Sequence, residues 1–112
     1  MSLRRLFLAV ALAGGVSSVA QAQCDRRFTL VNQSGSTINQ FFFGSSAQRN
    51  WGVDQLGSNV LPSGRSIRYE TRHSGRNDFK VVWANGATAE LMNIDICATS
   101  EIVATQRGIV AR

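Results

Sequence analysis

"DFKVVWANGATAELM", residues 78–92, decides how this chain folds. Apolar and polar residues alternate on both sides of an Asn85-Gly86 pair. That period of two belongs to strands, and Asn-Gly is a strong hairpin signal. Two registers are open. A two-residue loop at Asn85-Gly86 pairs Trp83 with Thr88 and Val81 with Glu90, mixing apolar and polar residues on each face. A three-residue loop, Ala84-Asn85-Gly86 with Gly86 left-handed, pairs Trp83 with Ala87, Val81 with Ala89 and Phe79 with Leu91 on one face, and Lys80 with Glu90 and Val82 with Thr88 on the other. Only the second register sorts the residues by polarity, so the sequence predicts it, together with a sheet that buries one face.

Short runs of the same kind fill the rest of the chain, punctuated by Gly, Asn and Ser. "RFTLVN" (27–32) and "TINQFFFGSS" (37–46) flank a "QSGS" turn and read as an antiparallel hairpin. A long connection, "SAQRNWGVDQLGSNVLPSG", leads past Pro62 and Gly64 to a strand at "SIRYET" (66–71). A connection this long is either functional or packed down by its own apolar residues, here Trp51, Val53, Leu56, Val60 and Leu61. "RHSGRN" (72–77) reads as a polar turn. "NIDICATSEIVATQ" supplies a short strand through Cys97 and a last strand at 101–105, and "RGIVAR" (107–112) reads as a flexible tail. No segment keeps a helical period. Six to seven strands in a single domain, 23–106, predict an all-β fold: a small two-sheet antiparallel sandwich of immunoglobulin-like type, with a small β-barrel as the alternative.

Residues 1–22 have the layout of a secretory signal peptide: basic "MSLRR", apolar "LFLAVALAGGV", then small "AQA". The apolar core is shorter than the ~20 residues needed to cross a bilayer. Arg4, Arg5, Phe7 and Leu8 match part of a twin-arginine export motif, but the short, very apolar segment suits the general secretory route. Gln23, standing before Cys24, argues against lipidation. The expected location is the periplasm or the outside of the cell. Taking Arg4 and Arg5 from twelve basic residues leaves ten against seven acidic ones, a net of +3. The remaining cations are scattered, with neither a basic stripe nor a nucleic-acid-binding motif, so no nucleic-acid partner is expected. Cys24 and Cys97 are the only cysteines, and in an exported chain they most simply form one disulfide.

Catalytic chemistry has little material to work with. His73 is the only imidazole and lies in the polar turn, and Asp54, Glu70, Asp78 and Asp95 each stand alone in sequence, so no catalytic residues are assigned. Neither calcium-loop spacing nor a Cys/His ligand set is present, so no metal or cofactor is expected. "NQS" (32–34) matches a glycosylation sequon but is assigned no role. Aromatic surface is the better lead. In "NQFFF", Phe42 must face opposite to Phe41 and Phe43, so one set is core and the other is covered by the Trp51 loop or free for a partner. "NWGVDQLG" (50–57) raises the same choice between scaffold and site: Trp51 and Leu56 as plugs, Gly52 and Gly57 as bends, and Asp54 either accepting hydrogen bonds from the loop or facing outward.

"LVNQSGSTI" (30–38), "WGVDQLG" (51–57), "VLPSG" (60–64) and "NGATAELMNIDIC" (85–97) together resemble a group of small exported bacterial proteins of unknown function, often labelled only by their export signal. Members of that group often carry a cysteine where this chain has Phe79, which implies that Cys97 pairs instead with Cys24. The resemblance implies a fold and a compartment but no activity. The functional expectation is a non-catalytic exported module that binds a protein or an envelope polymer through Trp51, Asp54, Phe41, Phe42 and Phe43. The alternative is a small hydrolase, or an inhibitor of one, using His73 and a nearby carboxylate.

Overall fold

The computed structural model describes residues 24–112; the leader expected at 1–22 lies outside them. Seven strands form two sheets: β1 (Arg27–Asn32), β2 (Ile38–Ser45), β3 (Ser66–Glu70), β4 (Arg76–Trp83), β5 (Thr88–Asp95), β6 (Glu101–Thr105) and β7 (Gly108–Ala111). One sheet has the order β3-β1-β6-β7 and the other β2-β4-β5. The architecture is therefore an open two-sheet sandwich and not a barrel. Among the described residues no helix is long and apolar enough to cross a membrane.

The β4–β5 hairpin takes the register that sorts its faces. Phe79 lies opposite Leu91, Lys80 opposite Glu90, Val81 opposite Ala89 and Val82 opposite Thr88. Trp83 N donates to Ala87 O at 2.8 Å and Gly86 N to Trp83 O at 2.9 Å. Gly86 has φ +88°, a conformation that a Cβ would strain. Phe79, Val81 and Trp83 then point into the core, where they meet Phe28, Leu30 and Ile102 of the facing sheet. Five aromatic rings interlock at one end of this core. Phe28 packs edge-on to Phe43 (centroids 5.0 Å apart) and to Phe79 (5.3 Å), with Phe41 and Tyr69 beside them.

Several expectations are corrected. β1 and β2 do not form a hairpin: β1 pairs with β3 and β6, while β2 pairs with β4. The turn between them carries the chain from one sheet to the other, so Phe28 and Phe41 meet across the core instead of side by side. Alternation looks the same in both cases, because either partner needs an apolar face. β1 and β6 run parallel, with Leu30 opposite Ile102, so the sheets are not purely antiparallel. The strand order also differs from the ABED and CFG sheets of an immunoglobulin constant domain, and the likeness to that fold lies in the layers. Cys97 lies not on a strand but in a 3₁₀ turn, Ile96–Ala98, which the Asp95 carboxylate caps by accepting from Cys97 N. Arg76 and Asn77 belong to β4 and not to a turn.

The flexible tail expected at 107–112 is instead built around β7, which pairs with β6 and buries Ile109. Ile109, with Ala111 packed beside it, closes the end of the core, a long-range gain that a four-residue run does not advertise. Cys24 and Cys97 form the disulfide, with Cα atoms 4.9 Å apart. It ties the start of the described chain to the end of β5.

Candidate functional site

β2 is an edge strand, and the long connection after it folds back to close that edge. Leu61 and Ile38 exchange both backbone hydrogen bonds at 2.9 Å. Further along, Gln55 N donates to Phe41 O, and Phe41 N donates to the Asp54 carboxylate at 3.0 Å. The same oxygen, Oδ1, accepts from Leu56 N at 2.9 Å. Asp54 therefore faces inward, doing for β2 what a neighbouring strand would do. A covered edge is protected from pairing with another chain. Leu56 is a buried plug, as expected, and Leu61 is buried with it, whereas Trp51, the other expected plug, is only half-buried, Val53 is 72% exposed and Val60 is also exposed. Gly52 (φ +71°) and Gly57 (φ +62°) bend the loop in the left-handed region.

The other end of the loop is fixed at Ser46, whose hydroxyl donates to Asp78 Oδ1 at 2.6 Å. That oxygen also accepts from Asn93 N, which holds the β5 bulge where Asn93 has φ +59°. Asp78 thus serves as a structural acceptor joining three segments.

Between these two anchors the loop carries Trp51 over the outer face of the smaller sheet. Lys80 Nζ sits 5.9 Å from the Trp51 ring and 5.8 Å from the Phe42 ring, within cation–π range of both. The indole is half-buried and stands between two adjoining depressions. The larger, about 510 Å³, lies between the loop and the β3–β4 turn, with Phe43, Gln55, Glu70, Arg72 and His73 around it. The smaller, about 130 Å³, runs over the sheet towards Arg49, Asp78, Glu90 and Met92. Gly44, Gln48, Asn50 and Trp51 line both, so the two form one cleft.

The five residues expected to bind a partner are thus divided. Trp51 and Phe42 lie on the outer face, Phe43 is half-buried at the cleft rim, and Asp54 is committed to the backbone. Phe41 is 0% exposed in the core and offers no surface to a partner. Sequence reasoning missed Gln48, Asn50 and Gln55. Their type and their place beside Trp51 were visible in "QRNWGVDQ", but their convergence on one cleft depends on how the loop is pinned.

His73 and Glu70 share the cleft rim without forming a catalytic pair. The Glu70 carboxylate accepts from Arg26 at 3.0 Å, and the His73 ring makes no hydrogen bond among the described residues. No three His, Cys, Asp or Glu side chains gather among those residues. Two buried asparagines are scaffold. Asn32 donates to Ser36 O and Leu61 O while accepting from Ser34 N and Oγ, so the sequon nitrogen is buried and occupied. Asn77 donates to His73 O and Gly75 O and accepts from the Thr71 hydroxyl, shaping the turn that walls the cleft.

Tyr69 links the two walls, its hydroxyl donating to Gln55 O at 3.3 Å. Burial, with the Asp54 charge adding to it, raises its pKa above the usual value. Away from the cleft, the side-chain hydrogen bond from Arg27 lowers the exposed Asp25 carboxyl to about 2. The chain matches no protein-family model, no curated protein and no solved structure.

Proposed function

We propose that this chain is an exported, non-catalytic β-sandwich module that binds another macromolecule of the cell envelope, in the periplasm or at the cell surface, through the cleft around Trp51. The observation that carries this reading is that the Trp51 loop is held in place before any partner arrives. Asp54, Gln55, Leu61 and Ser46 anchor it to β2 and β4, so little ordering entropy is left to lose on binding. The disulfide is compatible with an oxidising compartment outside the cytoplasm. The ion-paired Glu70 and the unsupported His73 ring favour binding over turnover.

The test is co-sedimentation of the purified chain with isolated cell envelopes, comparing the parent, Trp51→Ala and Val110→Thr, which alters the exposed outer face of β7 in the other sheet. Retention of the parent and of Val110→Thr, with loss of Trp51→Ala, is the expected result. Equal retention of all three, or of none, would overturn the proposal.

A further inference from the structure

Three features of the cleft bear on what it holds. Three of its polar side chains are planar amides, Gln48, Asn50 and Gln55, and none of the three makes a side-chain hydrogen bond among the described residues. Its charges are of both signs, with Glu70, Asp78 and Glu90 against Arg49 and Arg72, and Lys80 tucked beneath the indole. Its larger aromatic group, Trp51, stands between two depressions and is not at the bottom of a pocket, with Phe43 at the rim.

Resting on the binding role proposed above, we infer that the cleft takes a linear, uncharged glycan, with sugar rings on either side of Trp51. A pyranose has an apolar C–H face that packs against an indole, and its neighbouring hydroxyls both donate and accept, as amide side chains do. A polyanion such as nucleic acid requires a groove of one positive sign, which mixed charges do not provide. A peptide would add to a free strand edge or anchor side chains in apolar pockets. The neighbouring β2 edge is already closed by Asp54, Gln55 and Leu61. Only Phe43, Val53 and Met92 bring apolar side chains to the cleft beside Trp51.

Gly44 lines both depressions, and the Gln48 side chain folds over it so closely that a Cβ there would meet the Gln48 amide. Gly44→Ala therefore displaces Gln48 within the cleft through the movable end of a flexible side chain.

The two tryptophans allow a direct measurement. Trp83 donates its indole N–H to Ser34 Oγ at 3.0 Å inside the fold and serves as an internal reference, while Trp51 lines the cleft. The full chain, labelled with nitrogen-15, is titrated with the hexasaccharides of chitin, cellulose and starch. At least one is expected to move the Trp51 indole resonance and leave that of Trp83 in place. Trp51→Ala should weaken calorimetric binding roughly tenfold or more, and Gly44→Ala roughly threefold or more.

Where Trp51→Ala does not fold, Gly44→Ala and Asn50→Ala carry the same comparison, with the Trp83 resonance reporting the fold. Co-sedimentation is repeated with envelopes treated with protease, or with periodate, which cleaves vicinal diols, followed by lysozyme and chitinase, which cut the 1,4-linked N-acetylated chains that lack such diols. Loss after the glycan-cleaving treatment supports the glycan, and retention after it overturns the glycan. Loss after protease alone overturns the glycan and leaves the binding role standing, whereas no binding to untreated envelopes overturns both. Failure of all three hexasaccharides to move the Trp51 resonance, or unchanged affinity in the cleft variants, also overturns the inference.

Discussion

Replacing Asp54 by alanine tests whether this carboxylate is the pin of the loop. The change removes the acceptor for Phe41 N and Leu56 N, and each hydrogen bond to a charged group contributes about 1.5–3 kcal/mol. The side chain is half-exposed and water can reach one of the freed amides, so the expected loss is about 2–3 kcal/mol. Asp54→Asn keeps a neutral acceptor of roughly half the strength and should lose about 1 kcal/mol. For a domain of this size about 4–8 °C of melting temperature accompanies each kcal/mol, so the alanine variant should melt roughly 10–20 °C lower.

Urea denaturation measures the stability, and amide hydrogen exchange locates the change. The Phe41, Gln55 and Leu56 amides should exchange faster, while the Trp83 amide, bonded to Ala87 in the β4–β5 hairpin, stays protected. A loss below about 0.5 kcal/mol in Asp54→Ala, or unchanged exchange at Phe41, would refute the assignment.

Removing the disulfide with Cys24→Ser and Cys97→Ser, which opens a span of 73 residues, should cost about 3–4.5 kcal/mol in urea denaturation, and an equally stable variant would show that the bridge constrains little. Asn32→Ala removes four hydrogen bonds and leaves the buried Ser34 N without its acceptor, and should cost about 3–5 kcal/mol; a measured loss under about 1 kcal/mol would contradict the network. Tyr69 is the only tyrosine, so its ultraviolet titration is read directly, with a midpoint above 10. Because the folded pKa is raised, the associated stability is complete below the ordinary tyrosine value and is lost as pH rises through the folded one. Asp54→Asn should bring the midpoint part of the way back towards 10, burial being the larger cause, and a midpoint that does not move would separate the two groups.

Much of the fold was legible because a strand with one buried face must alternate. The β4–β5 register followed from that alone, since a slip of one residue would have exposed Phe79, Val81 and Leu91. Phe41 and Phe43 could be grouped against Phe42 for the same reason. In β2 the rule needed help: Ile38 and Phe41 are both fully buried although three residues apart, and a register shift between Ile38 and Gln40 makes this possible. The cleft was legible only in part. Trp51 stood out by size, but the amides beside it are ordinary loop residues until the chain is folded.

By itself the sequence determined what depends on near neighbours: strands rather than helices, the turn at Gly86, bends at Gly52 and Gly57, and two cysteines available for one bridge. The tertiary structure decided which strand lies beside which. β1 crosses to the opposite sheet from β2, β6 runs parallel to β1, and the last apolar run becomes β7 because the core has room for Ile109. It also decided the direction of Asp54. An inward carboxylate requires an unpaired amide across from it, and Phe41 N on the open edge of β2, thirteen residues away, supplies that amide only once the sandwich is assembled.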